Sequence, residues 1–280
     1  MESFPKFEAH LDVILIAAVW CGAYWLAFSR VAVRLNQNPR PTKVQLISHI
    51  CAVTTFVVGS VWPIHDVSEK SLYFVHMAQH MAFINLMSLF VVLSLPTWLA
   101  RWLILRKFVL PIVRQSTRFI TATILFNLLI IFFHWPTIVT VTLENGFLHF
   151  LAHFVMVLCF VVIWMVVISP SPEIRTPTPI MQMIFLFLQS VIPTLPASFL
   201  TFGTEPLYKV YVDLPKLYNL SALDDQRIAG LVMKLGGGLL IWALIAIVFF
   251  RWSSSEKARE VRYSASKDNK LDQEIQFSVK

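Results

Sequence analysis

Eight histidines are distributed over this chain of 280 residues, and four form two pairs of equal spacing, His76 with His80 and His149 with His153. Residues four apart share one face of a helix, one turn from each other. Both pairs fall near the start of a long apolar run, each reaching about 10–14 Å into it at 1.5 Å per residue. If the two runs pack together, four imidazoles meet at one depth, and neutral imidazole is a good ligand for copper, zinc and iron. A lone histidine beside a membrane is usually an amphipathic interface residue, and a single HxxxH is weak. Two pairs at matched depth are a stronger pattern, because an ionisable group inside a span is costly and normally has a partner or a task. His10, His65 and His134 belong to the same end of the chain's topology, whereas His49 lies toward the other; His65 and His134 are secondary metal candidates. Met77 and Met81 follow the first pair and Met156 the second. Thioether with imidazole suits copper(I), although Met77 and Met81 are turned about 100° from the histidine face, where packing is the simpler role.

The elements that carry these residues are spelled out by composition. Hydrophobic residues make up 57% of the chain, charged ones 14%, and the mean hydropathy is +0.68. Soluble domains carry about a quarter charged residues. The apolar excess is grouped into runs of about 17–25 residues without period-two alternation, which predicts transmembrane helices and excludes a barrel. Cys21, Cys51 and Cys159 are scattered in apolar runs with no CxxC and read as small hydrophobic side chains. The first run follows Glu2 and Glu8, has no basic segment before it and is too long for a cleaved leader, so it reads as a span.

Seven spans are predicted: Leu11–Val33, Val44–Trp62, Leu72–Leu95, Phe119–Trp135, Gly146–Ser169, Ile180–Phe202 with a kink at Pro193 and Pro196, and Gln226–Phe250. Thr97–Arg118 mixes Trp98, Trp102, Leu105 and Val109 on one stripe with five basic residues, and reads as a helix lying on an anionic leaflet. The loop from Gly203 to Asp225 has room for a short interfacial helix. Residues 1–252 thus form one transmembrane domain, and the polar tail 253–280 is expected to lack order. Asn85 and Asn127 read as hydrogen-bond glue between helices. Lys234 would snorkel or pair with an acid such as Asp225, and Gly236-Gly237-Gly238 would permit close helix packing.

The net charge of +7 reflects topology, with no need for nucleic acid. Of 23 basic residues, 17 lie in the first, third and fifth connections and the tail, and five in the N-terminal segment and the other connections. This bias puts the tail in the cytoplasm and the N-terminus outside. Seven of the eight histidines then sit at or near the outer face, and Asp66, Glu69, Glu144, Asp224 and Asp225 are acids of the outer loops able to attract a cation.

Three motifs occur in order: HMAQH at His76–His80, LHFLAH ending at His153 with Trp164 downstream, and DQRIAGLVM from Asp225 to Met233. Together they resemble the CtaG-type cytochrome c oxidase assembly factors, over roughly Leu11 to Trp252. The resemblance implies a multi-pass protein of the bacterial inner (plasma) membrane. It implies a role in maturing a haem-copper oxidase, with copper handled at the periplasmic side and with oxidase subunits and periplasmic copper chaperones as partners. Carried onto this chain, the implied ligands are His76, His80, His149 and His153; Asp225, Gln226 and Met233 belong to the third motif, and Asp225 and Met233 are, with Met77, weaker metal candidates. The chain departs from the pattern at Ala152, where an acid is expected nearby, and at Lys234, where an aromatic is expected. Two other classes compete. An integral-membrane haem or di-iron oxidoreductase would also use paired histidines, and a transporter would use the prolines and glycines as helix breaks.

Overall fold

A computed structural model describes residues 4–215 and 217–278, with side chains to Ser264; Lys216 and Lys280 of the charge count lie outside the described residues. The apolar runs become helices, and there is no strand among the described residues. In chain order they are α1 (Leu11–Ala32), α2 (Lys43–Ser60), α3 (Ile64–Lys70), α4 (Tyr73–Ser94), α5 (Thr97–Ile104), α6 (Val109–Ser116), α7 (Phe119–Phe133), α8 (Pro136–Glu144), α9 (Gly146–Ile168), α10 (Pro179–Val191), α11 (Thr194–Phe202) and α12 (Ala222–Ser264). Six stretches are long and apolar enough to cross a membrane: α1, α2, α4, α9, α10 with α11, and α12. The seventh is the exception. At 15 residues, α7 spans about 22 Å, short of the hydrocarbon thickness of about 30 Å. It reaches a span's length only with α6, from which it bends by 85°.

The hub is α4. In its most apolar window 61% of residues are buried, against 17% in α1, and α2, α9 and α12 pack around it. Polar stitches hold this hub in place. Trp164 donates its indole N–H to Ser88 Oγ at 2.9 Å, while Ser88 donates back to the Ile84 carbonyl. That carbonyl belongs to a π-helical turn, Ala82–Met87, where the normal helical ladder is loosened. Asn127 donates to the Thr123 carbonyl at 2.7 Å and reaches Gln189 on α10 at 3.5 Å, so it does join two helices. Asn85 meets only the Met81 sulfur, at 3.6 Å on its own helix, and its Oδ1 is buried without a partner.

Contacts between connections sort the bundle into two ends. At one, Trp62 donates to the Pro5 carbonyl at 3.2 Å, Tyr211 to the Ser68 carbonyl at 3.4 Å, and Tyr208 to the His134 carbonyl at 2.9 Å. This gathers the N-terminal segment and the connections after α2, α7 and α11. At the other end Arg101 pairs with Glu173 at 2.8 Å, joining the connections after α4 and α9. The long helices therefore run alternately between these two ends of the bundle.

Four details differ from the sequence reading. The segment Thr97–Arg118 is two helices broken at 105–108, because burial of Leu99, Ala100 and Ile104 fixes a different face of α5. Trp102, Leu105, Phe108 and Val109 stay exposed, the apolar face such a segment offers to lipid. The 203–221 loop holds two 3-10 turns, Lys209–Tyr211 and Leu217–Asn219, in place of an interfacial helix. Lys234 lies 4.5 Å over the Phe202 ring, a cation–π contact, and Asp225 is engaged elsewhere. The tail is helical in backbone, since Gly238–Ser278 is one helix; Glu256 and Arg259 pair three apart on its exposed surface at 3.0 Å, which favours helix.

Candidate metal centre

The start of α4 has no capping side chain of its own: Leu72 occupies the N-cap position. Asp225, from the first turn of α12, supplies the cap in trans. Its two oxygens accept the Tyr73 and Phe74 backbone N–H groups at 2.9 Å each. Gln226 meets Tyr208 as a peptide would, accepting from its N–H at 3.0 Å and donating to its carbonyl at 2.9 Å. At Gly230 a Cβ would stand 2.7 Å from the Ala197 carbonyl and 2.5 Å from Thr201 Oγ1, so only glycine lets α12 approach α11. The DQRIAGLVM motif is thus a clamp that sets the depth at which α4 begins. Asp225, a secondary metal candidate in sequence, serves as a helix cap. Met233 packs with Tyr73, Met77 and Ala229 in the adjoining core.

With α4 so placed, His76 sits in its second turn and His80 one turn deeper, both buried. α9 begins at an Asn145 cap, whose side chain accepts from the N–H groups of Phe147 and Leu148, and this presents His149 and then His153 to α4. The four rings converge. Ring centroids lie 4.1 Å apart for His80–His153, 4.4 Å for His76–His80, 4.5 Å for His149–His153 and 5.4 Å for His76–His149. Ring nitrogens of His76, His149 and His153 lie within 4.8 Å of one another, and His80 joins them through its ring contacts with His76 and His153. His149 Nε2 and His153 Nε2 are 2.8 Å apart.

The chemistry of the donors fits a soft or borderline cation. His76 Nδ1 and both nitrogens of His80 are buried with no hydrogen-bond partner, a cost of about 1–3 kcal/mol per group unless something binds there. The rings line a cavity of about 30 Å3 that also touches Met77, Met156 and His134, room for one water-sized occupant. Met77 borders the same cavity from the adjoining core, whereas Met81 packs on Gly236 and Gly237. His134 uses Nδ1 on the Ile130 carbonyl at 2.8 Å. His65 stands outside the cluster, with Nδ1 3.4 Å from Gln79. Gln79, inside HMAQH, donates to the Gly59 carbonyl at 2.8 Å and accepts from Ser68, tying α4 to α2 and α3. His49 stacks on Tyr24 at 3.8 Å, remote from the other histidines.

Two of the outer-loop acids, Glu69 and Asp66, acquire partners that the sequence does not show. Glu69 Oε1 lies 3.2 Å from His149 Nε2 and 3.6 Å from His65 Nε2. Asp66, 1% exposed, takes His10 at 2.9 Å and Lys70 at 2.7 Å, fastening the N-terminal segment over this end. Their spacing to Lys70 and His65 on α3 is visible in the chain, but the partners His10, just before α1, and His149, on α9, are not. Burial alone would raise the Asp66 carboxyl; the hydrogen bonds from Lys70 and His10 outweigh it and hold the group below its ordinary value. Because the native value is the lower one, this stabilisation is present above the ordinary carboxylate range and is lost as pH falls through the native value. Asp66→Asn is expected to loosen the segment by about 1–3 kcal/mol, read as faster proteolysis before α1 at neutral pH, with the difference from wild type fading in acid. Burial also pushes the Tyr208 phenol up to about 12, so it remains a donor to the His134 carbonyl.

The fold and site define a multi-pass helical membrane protein with a buried histidine cluster at one end of the bundle. Residues 22–255 match the family model of the cytochrome c oxidase caa3 assembly factor (Caa3_CtaG), and the chain belongs to that family. No curated protein and no solved structure matches it.

Proposed function

We propose that this protein is a non-catalytic assembly factor that holds copper in the cluster of His76, His80, His149 and His153 and hands it to a haem-copper cytochrome c oxidase. The cluster would face the periplasm of a bacterial plasma membrane, where the distribution of basic residues puts it. The family supports the oxidase as client. The observation that carries copper is the convergence of four imidazoles around partnerless nitrogens. Copper is here cargo. The chain's part is to offer nitrogen ligands on two helices, exclude carboxylates from the immediate cavity, and keep the ion near an end that a partner can reach.

Protein purified from copper-supplied cells should carry stoichiometric copper. The paired variants His76→Ala/His80→Ala and His149→Ala/His153→Ala should each lose it, and His49→Ala, at the other end, should keep it. Full copper in both paired variants would end the proposal. The carboxylate of Glu69 beside His149 favours a second reading, a harder ion such as iron in an oxidoreductase. Iron in place of copper, with a visible absorption band, would select it.

A further inference from the structure

A second and larger cavity, about 320 Å3, lies between α1, α2 and α9, and it is lined by His10, His65, Glu69, His149, His153 and Phe150 among others. His149 and His153 line both this cavity and the 30 Å3 one, so they are the wall between the two. The volumes differ in what they admit. The outer one accommodates on the order of ten waters and so a hydrated ion or a donor's side chain, whereas the inner one takes a single bare ion. An ion moving inward must exchange water for protein ligands stepwise. The spacing provides for this: His65 Nε2 to Glu69 Oε1 is 3.6 Å, Glu69 Oε1 to His149 Nε2 is 3.2 Å, and His149 Nε2 to His153 Nε2 is 2.8 Å. Each ligand is within reach of the next before the previous one is released.

We propose that His65 and Glu69 form an entry station for the cation, from which it passes by ligand exchange through His149 and His153 to the buried cluster. This rests on the copper reading above. The transfer involves no change of oxidation state; the ion keeps its charge, exchanging water and carboxylate for imidazole nitrogen. His10 is held by Asp66 and forms wall, not station.

A path residue changes the rates of entry and exit together and leaves the equilibrium alone; a residue that ligates or orients in the final site changes the equilibrium. Purified full-length protein, stripped of metal, is mixed with Cu(I) in stopped flow and followed by loss of a weak chelator's colour, with release followed into excess chelator. Glu69→Gln and His65→Ala should each slow loading and release about tenfold while Kd stays within about threefold, a shift under 1 kcal/mol. Glu144→Gln, an exposed acid outside the cavity lining, should match wild type. Unchanged rates in both variants, faster release with raised Kd, or equal slowing by Glu144→Gln would overturn the entry station. Failure of the wild-type protein to bind Cu(I) would instead overturn the copper reading itself.

Discussion

Asp225→Ala is expected to unseat the histidine cluster by uncapping the helix that carries His76 and His80. The carboxylate is fully buried and accepts the first two N–H groups of α4. Alanine leaves both donors buried and unpaired, at about 1–3 kcal/mol each, more where the lost acceptor was charged. It also removes a negative group from the N-termini of two helices, α4 and α12, where the helix dipoles favour one. A combined loss of about 3–6 kcal/mol is large against the 5–15 kcal/mol that holds an ordinary domain together. The expected result is a much lower thermal midpoint in detergent and loss of metal retention, with Asp225→Asn intermediate because one amide oxygen still accepts. Copper loss without any change in midpoint would show that Asp225 acts on the ion directly and that the cap assignment is wrong.

His80→Leu should move stability and metal affinity in opposite directions. Both ring nitrogens of His80 are buried without partners, so in the metal-free protein the imidazole costs the fold about 1–3 kcal/mol. Leucine fills nearly the same space with no polar atom to satisfy. The metal-free variant should therefore melt higher than wild type, while its Kd for copper rises on the order of a hundredfold, about 3 kcal/mol. This is the exchange expected where a site has been kept at the expense of stability. Differential scanning fluorimetry and a competitive chelator titration read the two quantities separately. A lower melting point for metal-free His80→Leu would mean that ring packing against His76 and His153 outweighs the cost of the unpaired nitrogens.

Much of this was legible in the chain because it is encoded locally. Apolar runs, the prolines at 193 and 196, and the four-residue histidine spacing each depend on neighbours within a turn or two, and the helices follow them. The convergence of the two pairs depended on α4 and α9 facing each other, which spacing alone does not fix. Asp225 was misread because its partners are some 150 residues away; nothing nearby signals a cap given in trans. Glu69 looked like one of several loop acids until α9 brought His149 against it. The shortness of α7 was hidden because the apolar run continues to Trp135, two residues past the last helical residue, Phe133. The tail's polar composition suggested an unstructured segment, yet its charged residues are also good helix formers, and the last span continues through them.

Copper K-edge X-ray absorption on the purified, copper-loaded protein tests the shared-imidazole site most directly. The expected first shell is nitrogen with the outer-shell scattering of imidazole rings, losing ring contributions in both His76→Ala/His80→Ala and His149→Ala/His153→Ala. A shell dominated by sulfur, or one identical in wild type and both paired variants, would contradict it.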